Sequence, residues 1–438
     1  MGQIFSQAAD ERKSSTFDAP ALAPEDVKRS LRQIGKYLRP YKFLMNRMEQ
    51  ERNLGQMIEG LTSNLERKSV EPIAVMHGRP RRALQRFVGE AGWSHEPLRD
   101  QLTWEVSEEI GIQDGTVVID GSATPKKGIH TVGVDRQWCG AMGKTESCVI
   151  GVYGVYVGKS ELSTLVAAEL FLPKDWTSDL ARRVAAYVPP EIEYRTQPEI
   201  AAKIVAQLAA TDLPFKWVLA DDEFGRKRAF RDGIAAMGKS YLLDVPKDTV
   251  VRRCKSSGQI SNNKIRADRL VARAPNSDWS TFHVRDGEKQ PIDVRAIAIP
   301  VATHRDDGSS VRETLLAIET LDGSEHWYCL ARSGQDVGLF ELVRRAGMRH
   351  RVEEVFQQAK GEVGLDHFEV RAWHGWYHHM TLCQMAHWFL VREKRRLGKK
   401  RNAAHAQPDP NGDRPALRAH AYAEGIDSDR QLPCPAQP

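Results

Sequence analysis

Two apolar runs in this 438-residue chain end in aspartate: Thr116-Val117-Val118-Ile119 closes on Asp120, and 215-FKWVLA-220 closes on Asp221. A carboxylate at the end of a buried strand is held rigidly at the rim of a sheet, which suits metal binding or catalysis. It also suits a cap for the turn or helix that follows. A third acid comes from a stretch with helical period, 349-RHRVEEVFQQAKGEVG-364. At about 100° per residue from Arg349, Glu353 falls at roughly 40° and Lys360 at roughly 20°, on one stripe. Val352, Val355, Phe356, Ala359 and Val363 spread over roughly 240–340° as the buried face, while Glu354 at roughly 140° points to solvent. Glu353 therefore sits beside the core edge with Arg349 and Lys360 on its own stripe. There it can stay ionised, with cations near enough to grip phosphates. The plainer alternative is a helical ion pair of Arg349 with Glu353, contributing roughly a few tenths of a kcal/mol.

Asp120, Asp221 and Glu353 together are hard oxygen ligands of the kind Mg²⁺ takes, since that ion keeps several waters and needs few carboxylates. Two such ions roughly 3.5–4 Å apart, with Mn²⁺ able to substitute, activate an attacking oxygen and stabilise the leaving one in phosphodiester chemistry. The six cysteines, at 139, 148, 254, 329, 383 and 434, form no CxxC pair, which argues against a zinc ribbon and a disulfide framework.

The elements that must position these acids can be read around them. From about 25 to 110 the period is helical: 46-NRMEQERNLGQMIEGLTSNLERKS-69 spaces apolar residues at three and four, and 80-PRRALQRFVGEAG-92 opens on Pro80. Such helices suit a DNA-contacting bundle or a plain helical domain. At about 115 strands take over, and a helix at 197-QPEIAAKIVAQLAA-210 alternates with them, pointing to a mixed sheet flanked by helices. Residues 240–335 read mostly as β, with 321-LDGS-324 as a hairpin turn, and helices return from Gly338.

Composition is that of an ordinary chain with a sizeable core: 41% hydrophobic, 28% charged and a net charge of +5. No apolar run approaches the ~20 residues of a membrane helix, and the first residues lack a secretory core, so the protein reads as intracellular. Basic clusters stand at 79-RPRRALQR-86, 344-RRAGMRHR-351 and 392-REKRRLGKKR-401. Each is either a nucleic-acid contact or a solvated face.

Three stretches resemble the DDE transposases of bacterial insertion sequences. The first is 118-VIDGSATPKKGIHTVGVDRQWCGAMGKTESC-148, similar to that family's first-aspartate segment, and the second is 218-VLADDEFGR-226, similar to its second. The third, 349-RHRVEEVFQQAKGEVGLDHFEVRAWHGWYHHMTL-382, resembles the glutamate helix, with its signature Y-x2-R-x3-E-x6-K. Arg349, Glu353 and Lys360 take the last three places of that signature, and the tyrosine place holds Ala346. Gly121 stands where relatives often carry a second acid.

The resemblance implies an α/β, RNase H-like mixed sheet flanked by helices, over 112–245 and 336–398, interrupted by a β-rich insertion at 246–335. A helical DNA-binding region would fill 25–111, with a disordered start at 1–24 and a flexible basic tail at 399–438. It also implies a transposase that cuts at transposon ends and joins the 3′-hydroxyl to target DNA, with Asp120, Asp221 and Glu353 as metal ligands for two Mg²⁺. A nuclease of the same core without strand transfer, or an inactive DNA-binding descendant, is the alternative. Partners would be double-stranded DNA, as terminal inverted repeats and target, and a second copy in the DNA complex; the place would be the bacterial cytoplasm, at the nucleoid. Lys126 and Lys127 would contact phosphates or face solvent, as would Arg81, Arg82 and Arg86 on the early helix. Trp279 and Trp327 would either hold an unstacked base or pack at the edge of the core.

Overall fold

The computed structural model describes residues 32–286, 291–305 and 307–405. The expected disordered start and most of the expected basic tail lie outside the described residues. Helices come first: α1 Met48–Leu61, α2 Val70–Met76, α3 Arg81–Gly89 and α4 Glu96–Ile110. Leu54, Met57, Ile58 and Leu61 of α1 and Leu84, Phe87 and Val88 of α3 are buried, as their spacing demands, whereas Met48 is exposed. Pro80 stands one place before α3 as its N-cap.

The core strands are β1 Thr116–Pro125, β2 Asp135–Cys139, β3 Lys144–Val157, β4 Ser163–Leu170, β5 Trp217–Ala220 and β6 Ser240–Asp244, with helices α5 Gln197–Ala209 and α6 Arg228–Ala236 between the last of them. β3 runs antiparallel to β1 and to β4, while β1, β5 and β6 are mutually parallel neighbours. The order β4-β3-β1-β5-β6, three antiparallel strands followed by two parallel ones, is the RNase H-like arrangement, in an α/β layered fold.

Both faces of that sheet are covered, so its strands are near-continuously apolar. Alternation along β3 shows the two layers. The Tyr153 ring meets Phe356 edge-on at 5.2 Å on one face. Gly154 points to the other, where an added Cβ would lie 3.2 Å from Ile204 of α5. α5 opens on a capping box, with Thr196 and Glu199 bonding reciprocally and Pro198 in its first turn.

Residues 246–335 extend the same sheet. They supply β7 Val250–Arg253, β8 Ile265–Arg266, α7 Ala267–Val271, β9 Ser280–Asp286, β10 Pro291–His304, β11 Ser310–Thr320 and β12 His326–Arg332. β12 pairs antiparallel with β6, in register Cys329↔Asp244 to Arg332↔Tyr241, so twelve strands form one sheet among the described residues. β11 and β12 make the hairpin whose turn is 321-LDGS-324, with Gly323 at φ +67°. A buried carboxylate ties this part to the core: Glu313 of β11 accepts from the Tyr241 hydroxyl at 2.6 Å and faces Arg231 of α6 at 3.1 Å.

The chain closes with α8 Leu339–Met348, α9 His350–Val363 and α10 Trp373–His405. α8 and α9 meet at Arg349, which keeps helical dihedrals, and α9 stops at Gly364 in the left-handed region, φ +65°. α10 packs on β4 and the early helices, where His378 stacks on Trp93 at 3.7 Å. No helix among the described residues is long and apolar enough to cross a membrane.

Candidate active site

The register of the parallel strands determines where acids fall. Ile119 pairs with Ala220, and Ala220 with Leu243. The next residue on each strand is an aspartate: Asp120, Asp221 and Asp244. Parallel neighbours lie about 4.8 Å apart, so three carboxylates stand side by side on one rim, with Asp221 in the middle. This is the carboxyl end of β5 and β6, where open α/β sheets present ligand sites. Asp120, expected at a strand end, lies instead in the middle of β1, which runs on to Pro125 against β3 once its pairing with β5 has ended.

Glu353 reaches the same rim from the first turn of α9, and Arg349 from the residue before it. All five side chains line one cavity of about 840 Å³, whose other walls are Asp222, Val245, Lys247, Asp268, His326, Trp327 and Tyr328. The structure thus brings the predicted acids together from three separate elements. Asp120 Oδ1 accepts from the Gly121 N–H at 2.7 Å. Asp221 also caps the turn that follows it, its Oδ1 accepting from Glu223 N–H at 3.0 Å and Phe224 N–H at 3.4 Å. Capping and rim placement, alternatives in the sequence, coexist here.

Arg349 is the cation at the centre. Its Nε lies 3.0 Å from Asp244 Oδ2 and its Nη2 lies 3.5 Å from Glu353 Oε1. Burial alone would lower its pKa, but Asp244, Asp120, Glu353 and Asp221 outweigh that and raise it, so it stays charged. Burial, then the neighbouring charge of Asp221, pushes the Asp120 carboxyl up to about 7. Burial pushes Asp221 up to about 6 against the pull of Arg349, with Glu223, Asp222 and Asp244 adding to the rise. Adjacent carboxylates that resist ionising together are a donor set that a divalent cation would relieve, so the chemistry fits Mg²⁺ or Mn²⁺. Convergence is incomplete: among the described residues no three His, Cys, Asp or Glu side chains lie close enough to hold one ion. Glu353 is drawn to Arg349 and to His350, whose Nδ1 lies 3.3 Å from its Oε2.

Other expected residues fall elsewhere. Val352, Val355, Phe356, Ala359 and Val363 are all buried, as the helical spacing requires. Glu354 does not face solvent: its side chain is 18% exposed against 27% for Glu353, and it holds Arg351 at 2.8 Å. Arg351 in turn reaches Glu161, 190 positions away, at 2.7 Å, a contact that turns that side of the helix into an interface. Lys360 lies 5.7 Å from the Phe356 ring and is not on the cavity wall.

Lys126 donates to the Phe368 carbonyl at 2.6 Å and sits 3.4 Å over its ring, so its ammonium joins β1 to the segment after α9. Lys127 is exposed. Arg81, Arg82 and Arg86 are exposed on α3, away from the cavity, facing Glu71 and Glu90. Of the two tryptophans, Trp327 lines the cavity, while Trp279 packs in the insertion with Arg295 over its ring at 4.8 Å. Gly121 leaves room for Gln197, whose Oε1 would lie 3.1 Å from a Cβ there. Ala346 is buried in the main core.

Sequence reasoning missed Asp244. The signal was the one that found the other two, an apolar run ending in acid: 240-SYLLD-244. It also missed His326 and Tyr328, beside Trp327 on β12, and Lys247.

Comparison with known proteins identifies the family. Residues 41–300 match the family model of DDE superfamily endonucleases, a span that holds Asp120, Asp221 and Asp244 and stops before Glu353. The chain belongs to that family. It is 27% identical over 228 residues to the probable transposase for insertion sequence element IS701 of Microchaete diplosiphon. That match covers 51% of this chain and 56% of the relative, so the chain spans about half the length of the curated protein it matches. A cryo-EM structure of the piggyBac transposase synaptic complex with hairpin DNA aligns over 84% of this chain and 74% of that one. Its sequence identity is 9% and its TM-score 0.37, too slight a likeness to carry an argument.

Proposed function

We propose that this protein is an insertion-sequence transposase that cuts and joins DNA with divalent cations held by Asp120, Asp221 and Glu353. The observation that supports it most is the placement of aspartates from adjacent strands and a helix glutamate on one open cavity, in a chain of the DDE endonuclease family. Asp120 and Asp221 would hold Mg²⁺ or Mn²⁺ between them, and Glu353 would complete the set by releasing Arg349. Bound there, such ions activate an attacking oxygen and stabilise the leaving one.

The protein's own groups do the rest. Trp327 lines the cavity from β12, the strand beside β6, and gives it an aromatic side chain on which an unstacked base could rest. Lys247 brings a cation into the cavity, and Arg253, Lys255, Lys264, Arg269 and Arg273 are exposed elsewhere in the insertion, where they would suit a phosphate backbone. Arg81, Arg82 and Arg86 give α3 a second basic face. Double-stranded transposon ends and target DNA are the proposed substrates, with two copies acting in the DNA complex.

The test is incubation of the protein with Mg²⁺ and a duplex carrying the DNA that flanks its coding region. The reading requires strand cutting at the ends, followed by joining of the freed 3′-hydroxyl to a second duplex. Cutting without joining would leave a nuclease of the same core. No cutting in Mg²⁺ or Mn²⁺ would contradict the proposal.

A further inference from the structure

Asp120, Asp221 and Asp244 are equivalent by sequence signal and by strand register, yet their partners differ. Both oxygens of Asp244 are occupied: Oδ2 faces Arg349 Nε at 3.0 Å, and Oδ1 accepts from the Cys329 thiol at 3.2 Å. Cys329 is fully buried on β12, directly opposite Asp244 in the sheet. Asp120 and Asp221 accept only backbone N–H groups through Oδ1, and among the described residues neither has an ion pair. Arg349 is 7% exposed, and its Nε–H finds no hydrogen-bond geometry even beside Asp244. A buried guanidinium held by charge attraction alone goes to whichever carboxylate draws it most.

We propose that Asp244 is a positioning residue that holds Arg349 aside, so that Asp120 and Asp221 remain available to a divalent cation. The inference rests on the metal-site reading above. Without the Asp244 charge, Arg349 would turn to Asp221 and Asp120, whose fields already act on it, and would neutralise the site from within. Asp244 then serves cation binding although it is not a ligand, because its own oxygens are committed to Arg349 and Cys329.

The experiment measures Mn²⁺ binding to the full chain without DNA, by the loss of the free-ion electron paramagnetic resonance signal. The wild type and Asp120→Asn test the metal site itself: if neither binds, or both bind alike, the metal reading fails and this inference falls with it, whereas the outcomes below bear on Asp244 alone. Given wild-type binding that Asp120→Asn weakens, Asp244→Asn should lower affinity at least about tenfold, one unit charge at close range being worth that in a partly buried site. Adding Arg349→Gln to Asp244→Asn should restore affinity to within about threefold of the wild type. Arg349→Gln alone should tighten binding.

A double variant as weak as Asp244→Asn would make Asp244 a ligand and overturn the proposal. An unchanged Asp244→Asn would overturn it too. If Asp244→Asn does not fold by circular dichroism, Arg349→Gln alone decides, and weakened Mn²⁺ binding there would contradict the proposal.

Discussion

The two walls of the cavity are built by different rules. On one side, the parallel pairing of β1, β5 and β6 ends in register, and the next residue on each is an aspartate. Those strands lie in a single core, with Val117, Val118, Ile119, Val218, Leu219 and Leu243 all buried in it. On the other side, β12 alternates between two cores. Cys329 and Ala331 pack into the main one, while Tyr328 and Leu330 pack into a second, smaller one formed with β10, β11 and α7. The aspartates therefore take their positions from the register of the parallel strands. The aromatic wall takes its position from the seam between β6 and β12, whose other end is tied by the buried Glu313 bonded to Tyr241. Changes at the acids should affect chemistry and spare the fold; changes at the seam should affect the fold first.

Breaking the acidic wall should have the largest effect. Asp120→Asn, Asp221→Asn and Glu353→Gln each remove a charge and keep the shape. Each should lower cleavage at least ~1000-fold, about 4 kcal/mol of barrier, with DNA binding by gel shift retained. Full cleavage by any one of them would remove that residue from the site. Breaking the seam comes next. Glu313→Ala leaves the buried Arg231 without its carboxylate, while Arg228 keeps Asp232, and should destabilise by roughly 3–5 kcal/mol in urea unfolding. An unshifted unfolding midpoint would show that the insertion does not depend on this network.

Smaller effects separate the aromatic wall from its surroundings. Trp327→Ala should slow cleavage by roughly tenfold through loss of about 1–3 kcal/mol of base stacking, while Trp279→Ala, off the cavity, should not. Equal rates for the two would deny Trp327 a role at the DNA. Neutralising Arg81, Arg82 and Arg86 together should flatten the salt dependence of binding by roughly 0.9 for each phosphate that these arginines neutralise. An unchanged slope would make α3 an ordinary solvated helix.

The sequence announced the acids through local patterns, and those patterns are short-range. The apolar runs that close on Asp120 and Asp221 and the helical face around Glu353 all follow from neighbours within a few residues, whereas the continuation of β1 past Asp120 to Pro125 depends on its pairing with β3. What was illegible depends on partners far along the chain. Glu354 faces Arg351 because Arg351 is held by Glu161, and Lys126 turns inward because the Phe368 carbonyl and ring, 242 positions on, wait for it. Angular position on a helix says which side faces the core, but not which loop covers the other side. Asp244 was legible by the same rule as its neighbours. Its role was not, because that role comes from Arg349 and Cys329, which reach it from two other elements. The continuity of the insertion with the core sheet was likewise invisible, since β alternation does not say which strand pairs with which.

The central claim, that Asp120, Asp221 and Glu353 surround one cation site, is tested most directly by letting the cation mark its own position. Fe²⁺ takes the place of Mg²⁺ at carboxylate sites, and with ascorbate and peroxide it cuts the backbone beside its ligands. Cuts are expected next to residues 120, 221 and 353 in the full chain, suppressed by excess Mg²⁺ and lost in Asp120→Asn. Cuts confined to other segments, or cuts at these positions that neither Mg²⁺ nor Asp120→Asn diminishes, would contradict it.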